Sequence, residues 1–128
     1  MTEVNELRLG ELLNSKLCHD LISPIGAINN GLEFLEEDSS DMLEEATKLI
    51  KSSARQAADR LAYFRLALGA GGATGTVEFN TVLDLVEKLA VEKKVEIVWT
   101  GAEAYPHSNI NIPISKLILN LALIAFDC

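Results

Sequence analysis

Leu17-Cys18-His19-Asp20-Leu21-Ile22-Ser23-Pro24-Ile25-Gly26-Ala27-Ile28 is the stretch from which the rest of the chain can be read. Within and around it, Leu13, Leu17, Leu21, Pro24, Ile28, Leu32 and Leu35 recur at steps of three and four. That spacing lines one face of a helix turning about 100° per residue. His19 falls on the opposite side and is expected in water. A packing histidine would lie on the stripe, and a metal ligand would need further ligands one turn away, where Ser15, Ile22 and Ser23 stand instead. What remains is an exposed imidazole. Its neutral nitrogen near pH 7 is a nucleophile suited to phosphoryl transfer, which asks for in-line attack and electrostatic positioning above all.

Asp20 follows His19 directly, about 100° further round the helix, and is placed to orient the ring or accept its proton. A solvated helix charge would show the same pattern. Pro24 has no backbone N–H, and its ring crowds the carbonyl of Asp20, four residues back. The helix is therefore expected to bend below His19, with that carbonyl left without its helical partner. Leu12, Lys16, Ile22, Ser23, Gly26 and Asn30 all lie within about 60° of the His19 direction. Leu12 and Ile22 have no place in the apolar stripe. Gly26 costs a helix about 1 kcal/mol against Ala and is expected to allow a close approach. The patch is read as a docking face for a partner helix, against the alternative of ordinary surface tolerance.

Glu36-Glu37-Asp38-Ser39-Ser40-Asp41 reads as an acidic turn, with Ser40 or Asp41 able to cap a second helix and Glu44 at capping-box spacing. Met42, Ala46, Leu49, Ser53, Ala57, Leu61, Phe64 and Leu68 then form a second stripe at helical spacing. Two antiparallel helices of this length cannot cover both stripes between themselves. A two-fold homodimer, with two hairpins forming a four-helix bundle, is the expected answer.

Residues 70–76 are glycine-rich and read as a linker, since no strand precedes them and no Lys follows the last Gly, as a phosphate loop would require. Beyond lie a short strand at residues 77–79, a helix capped by Asn80 over residues 81–92, and an alternating strand at residues 95–99. Residues 101–111 read as a loop in which His107 has no second ligand or nucleophile beside it and is given no role. Residues 114–126 read as an apolar helix opened by Pro113 and Ser115. It stops at Ala125-Phe126-Asp127-Cys128 without a cap or polar tail, so the chain is expected to be a fragment, with Leu117, Ile118, Leu119 and Leu123 short of cover. The expected organisation is thus a dimerising phosphoacceptor hairpin over residues 1–69, the linker at 70–76, and an incomplete α/β domain over 77–128.

The run His19-Asp20 with Pro24 resembles the phosphoacceptor box of sensor histidine kinases. The longer stretch, continued by Asn30-Gly31-Leu32-Glu33, resembles more specifically the ChpT-type bacterial histidine phosphotransferases. The resemblance implies a mainly α protein in which His19 takes a phosphoryl group from one receiver-domain aspartate and passes it to another. Its partners would be the receiver domains of a hybrid histidine kinase and of response regulators. It implies no cofactor of the chain's own, with Mg²⁺ on the partner receiver. Residues 77–128 resemble the start of a kinase ATP-binding domain. Kinases of that pattern carry a second Asn four residues after the one matched by Asn120, for the metal that accompanies ATP. Ile124 stands there and cannot coordinate Mg²⁺, whose ligands are oxygens. ATP-dependent autophosphorylation is therefore not expected. The other readings are a truncated sensor kinase and a helical dimer that docks partners without phosphorylation.

The bulk properties are compatible with this. The 128 residues contain no 18-residue apolar span and no signal peptide, which points to a cytoplasmic protein. A net charge of −8 argues against nucleic acid or an anionic membrane surface as partner. Two cysteines offer neither a disulfide framework nor metal spacing, and no metal site is expected.

Overall fold

The structure, a computed structural model, describes residues 2–37, 40–69, 75–101 and 108–127. It is mainly helical, with one small two-stranded sheet. The chain divides into two compact units, Met1–Leu61 and Ala62–Cys128.

In the first unit, α1 (Thr2–Glu36) continues through Pro24 as one helix of 35 residues, about 50 Å at 1.5 Å per residue. A 3-10 turn (Ser40–Met42) intervenes where the α-helix was expected to start, and α2 (Leu43–Leu68) begins after it. Glu44 and Glu45 sit in the first turn of α2, where the helix dipole favours negative charge, and Lys48 pairs with both at 3.1 and 3.7 Å. The two helices run antiparallel. Gly31 of α1 faces Ala46 and Ile50 of α2, and Asp20, further back on α1, meets Arg60, further along α2. Gly31 is required by that approach, because a Cβ there would come within 2.6 Å of Ile50 Cγ1.

Burial in this unit is sparse. Pro24, Gly31, Ala46 and Ser53 are buried, while Leu13, Leu17, Leu21 and Ile28 are half-buried. Leu32, Leu35, Met42 and Leu61 of the two stripes stay exposed, Leu61 by 52%. A Cβ at Gly26 would meet nothing within 4 Å, so none of the described residues makes the close approach expected there.

The second unit starts with the last turns of α2, so packing divides the chain inside this helix rather than at the glycine-rich segment. Of the linker, residues 70–74 lie outside the described residues. Gly69 ends the helix at a point where a Cβ would collide with the Arg65 carbonyl oxygen. β1 (Thr76–Glu78) follows and runs straight into α3 (Phe79–Lys93), and β2 (Asn109–Asn111) runs as directly into α4 (Ile112–Phe126). The strands pair antiparallel, Val77 opposite Ile110. Val82, Leu83, Val86 and Ala90 of α3 meet Leu119 and Leu123 of α4 in a core that also includes Tyr63, Phe64 and Ala67 of α2.

Three expectations for this unit are corrected. Asn80 does not cap α3: Glu78 occupies the cap without a side-chain bond, and the first free donor, Phe79 N–H, bonds the Ser108 carbonyl at 2.8 Å instead. With β1 flowing into the helix, the backbone just before the second strand does what a capping side chain otherwise would. Residues 95–99 are not a strand among the described residues. Lys94 takes the left-handed conformation, and the N–H groups of Lys94 and Val95 bond the carbonyls of Val91 and Ala90, closing α3 with a Schellman motif. The second strand forms instead at Asn109–Asn111, inside the expected loop, because three residues with one apolar side chain carry almost no periodic signal.

The last helix begins two residues early. Asn111 caps it, its side-chain oxygen accepting from Ile114 N–H at 2.9 Å, with Pro113 in the first turn and Ser115 Oγ donating to the Ile112 carbonyl. Leu119 and Leu123, expected without cover, are buried, whereas Leu117 is exposed.

Candidate phosphoacceptor site

The α1 stripe turns His19 outward, and its side chain is 88% exposed. Nδ1 lies 3.3 Å from Oδ1 of Asp20, and the other carboxylate oxygen lies 3.6 Å from Lys16 Nζ, one turn back. Asp20 is therefore held between a cation and the ring. In the tautomer that donates its Nδ1 proton to Asp20, the lone pair is on Nε2, the nitrogen that a phosphoryl group approaching from solvent would meet. As imidazole forms a bond at Nε2 it gains positive charge, and a carboxylate at Nδ1 stabilises that charge.

Leu12, Lys16, Ile22, Ser23, Gly26 and Asn30 lie on the same side of α1 as His19, at offsets of −7, −3, +3, +4, +7 and +11. Leu12, Ser23 and Asn30 are exposed, Ile22 by 68%, and Lys16 and Gly26 are partly so. Apolar Leu12 and Ile22 thus stand in water on either side of a nucleophile, and the space in front of Gly26 is open. His107 lies outside the described residues. Among the described residues no group of three or more His, Cys, Asp or Glu side chains is arranged to hold a metal.

Protein phosphotransferase ChpT of Brucella abortus (strain 2308) is 44% identical to this chain over 123 residues, which cover 94% of the chain and 56% of the relative. The chain is a ChpT homologue. A solved bacterial phosphotransferase has the same fold, with a TM-score of 0.73 at 44% identity over 94% of this chain and 55% of that one. No protein-family profile matches the chain. It spans slightly more than half the length of these two relatives.

In this ChpT homologue, sequence reasoning missed one neighbour of the site. The Asp20 carbonyl, deprived of a helical donor by Pro24, accepts a hydrogen bond from Nη1 of Arg60 on α2. The signal was Pro24 itself, which obliges a donor from elsewhere to serve a carbonyl four residues back. Which donor serves it depends on the register of α1 against α2, and that is invisible in either helix alone.

In the second unit, Asn120 has a structural engagement. Its Nδ2 donates to the Ala67 carbonyl at 3.0 Å and to the Lys116 carbonyl at 2.7 Å, and Lys116 Nζ donates to the Gly69 carbonyl. Ile124, one turn on, is 64% exposed. Tyr63 donates its hydroxyl to the Leu119 carbonyl at 2.6 Å, and burial pushes its phenol well above the ordinary value of 10.0.

Proposed function

We propose that this chain acts as a histidine phosphotransferase of a two-component phosphorelay, carrying a phosphoryl group between receiver-domain aspartates on His19. The observation that carries this reading is the exposed imidazole whose Nδ1 is engaged by Asp20. The name of the Brucella relative supports it.

The step balances simply. The Nε2 lone pair attacks the phosphorus of an aspartyl phosphate in line, the N–P bond forms, and the P–O bond to the aspartate breaks with its electron pair leaving on the carboxylate. The Nδ1 proton stays in place, and the imidazolium charge faces Asp20. In the forward transfer a second receiver's carboxylate attacks the phosphorus and the N–P bond breaks. The donor and recipient are read as receiver domains of a hybrid histidine kinase and of response regulators, docking on Leu12, Lys16, Ile22, Ser23, Gly26 and Asn30. No cofactor of the chain's own is invoked, and Mg²⁺ belongs to the receiver.

Exposed Leu32, Leu35, Met42 and Leu61 support a homodimer in which two hairpins complete a four-helix bundle. The second unit is read as a degenerate relative of a kinase ATP-binding domain, without ATP-dependent autokinase activity because Ile124 replaces a metal-binding Asn. A relay between receiver domains places the protein in the cytoplasm. Among the described residues no helix is long and apolar enough to cross a membrane.

The test is incubation with a receiver domain carrying labelled aspartyl phosphate. Acid-labile, base-stable label should appear on the native protein and on His107→Ala, and none on His19→Gln, whose fold survives because an exposed side chain contributes little packing. Label retained by His19→Gln overturns the reading.

A further inference from the structure

The Asp20 carbonyl is a hydrogen-bond acceptor in a peculiar position. It belongs to the residue whose carboxylate orients the His19 ring, and it stands four residues before Pro24, which offers no N–H to it. Pro24 is fully buried, so this turn of α1 lies against protein. Arg60, 40 residues away on α2, supplies the missing donor with a guanidinium, giving a charge-assisted bond. The same bond therefore satisfies the carbonyl and ties the backbone of Asp20 to the neighbouring helix.

We propose that Arg60 is a positioning residue for His19: its bond to the Asp20 carbonyl fixes the turn of α1 from which the Asp20 carboxylate holds Nδ1, and so keeps the lone pair on Nε2. Arg60 does not touch the transferred group. Its effect passes through the Asp20 backbone to the Asp20 carboxylate and from there to the ring. The inference rests on His19 being the phosphoacceptor. An alternative role for Arg60, as a brace of the hairpin only, would alter stability and leave the imidazole tautomer and its reactivity unchanged.

The two roles separate in an experiment on the whole chain with phosphoramidate, a small donor that needs no docking surface. Phosphoramidate labelling of the native protein at His19 tests the underlying reading first, and absence of label there removes that reading. Given that label, Arg60→Ala should react about tenfold more slowly, since loss of fixed geometry at a reacting centre costs one to two powers of ten. Nitrogen-15 spectra of the imidazole should show the proton on Nδ1 in the native protein and a shift toward Nε2 in Arg60→Ala. Arg60→Lys, which keeps a cationic donor, should restore both within about threefold.

Pro24→Ala provides the decisive background, because the backbone N–H that this substitution introduces can serve the Asp20 carbonyl within the helix. There, adding Arg60→Ala should change neither rate nor tautomer, even if the single Arg60 variant folds poorly. Native rate and tautomer in Arg60→Ala, or an undiminished tenfold loss in the Pro24→Ala background, would overturn the role of Arg60 while leaving His19 as the acceptor.

Discussion

The two units of this chain solve burial in opposite ways. Among the described residues, the buried apolar side chains are Pro24 and Ala46 in the first unit and Tyr63, Phe64, Ala67, Val82, Leu83, Val86, Ala90, Leu119 and Leu123 in the second. The hairpin is the more regular of the two in sequence, with long stripes at helical spacing, yet it leaves most of their residues only half-buried or exposed. The second unit has short, weakly signalled strands and still closes a core, with Tyr63, Lys116 and Asn120 each donating to a carbonyl of a neighbouring segment. Regular amphipathicity therefore does not imply self-sufficiency. A hairpin presents two apolar faces and can cover only part of each, whereas a helix pair backed by a sheet and a third helix encloses its apolar side chains. The hairpin is the unit that carries the exposed His19 imidazole and, as proposed above, a nucleophile, a dimer face and a receiver face.

The contrast can be broken in three ways. The largest effect is expected at Leu119, fully buried in the second unit: Leu119→Ala should cost about 2–5 kcal/mol, from lost transfer free energy plus the cavity left behind. The single Trp99, which donates to Glu87 at 3.0 Å, reports on that unit by fluorescence during urea unfolding. A loss below about 1 kcal/mol would mean the core is no tighter than the hairpin.

A smaller effect tests the other half of the comparison. If a second copy covers the hairpin, tenfold dilution should lower its stability by about 1.4 kcal/mol through mass action, and the second unit should not share in this directly. Far-UV ellipticity, dominated by α1 and α2, read beside light scattering at several concentrations, checks it. A concentration-independent melt with a monomeric mass would show that the hairpin stands alone.

The smallest effect concerns Tyr63. Its folded-state pKa is raised by burial, so the stability it contributes is complete below its ordinary value of 10.0 and is lost as pH rises above that. Tyr63→Phe should cost about 0.5–1.5 kcal/mol at neutral pH, from the lost bond to the Leu119 carbonyl. It should also flatten the alkaline fall seen in the native protein by Trp99 fluorescence. An identical alkaline profile in both proteins would remove Tyr63 as its origin.

Legibility in the sequence follows the length of the periodic signal. The stripe from Leu13 to Leu35 and that from Met42 to Leu68 extend over many turns, so α1 and α2 could be read, and with α1 came the outward direction of His19. Asp20, Lys16 and the rest of the face followed from that one angular relation. The strand at Asn109–Asn111 was not legible, because three residues cannot establish a period, and the alternation at residues 95–99 satisfied a pattern without finding a ladder. Asn80 failed as a cap for a related reason: capping rules describe a helix that begins from a loop, and α3 begins from a strand.

What the sequence determined by itself is local: which residues share a helix face, where Pro24 withholds a donor, and that His19 cannot belong to the apolar side. Such relations depend only on the fixed turn of a helix and the chemistry of each side chain. Tertiary structure alone decided what lies opposite: Arg60 under the Asp20 carbonyl, Ile50 against Gly31, Leu119 above Tyr63 and Ala67 beside Asn120. These pairs are separated by 19 to 56 residues, and their meeting is set by the register in which whole elements pack, a collective optimum of many weak contacts. No spacing rule within one element encodes it.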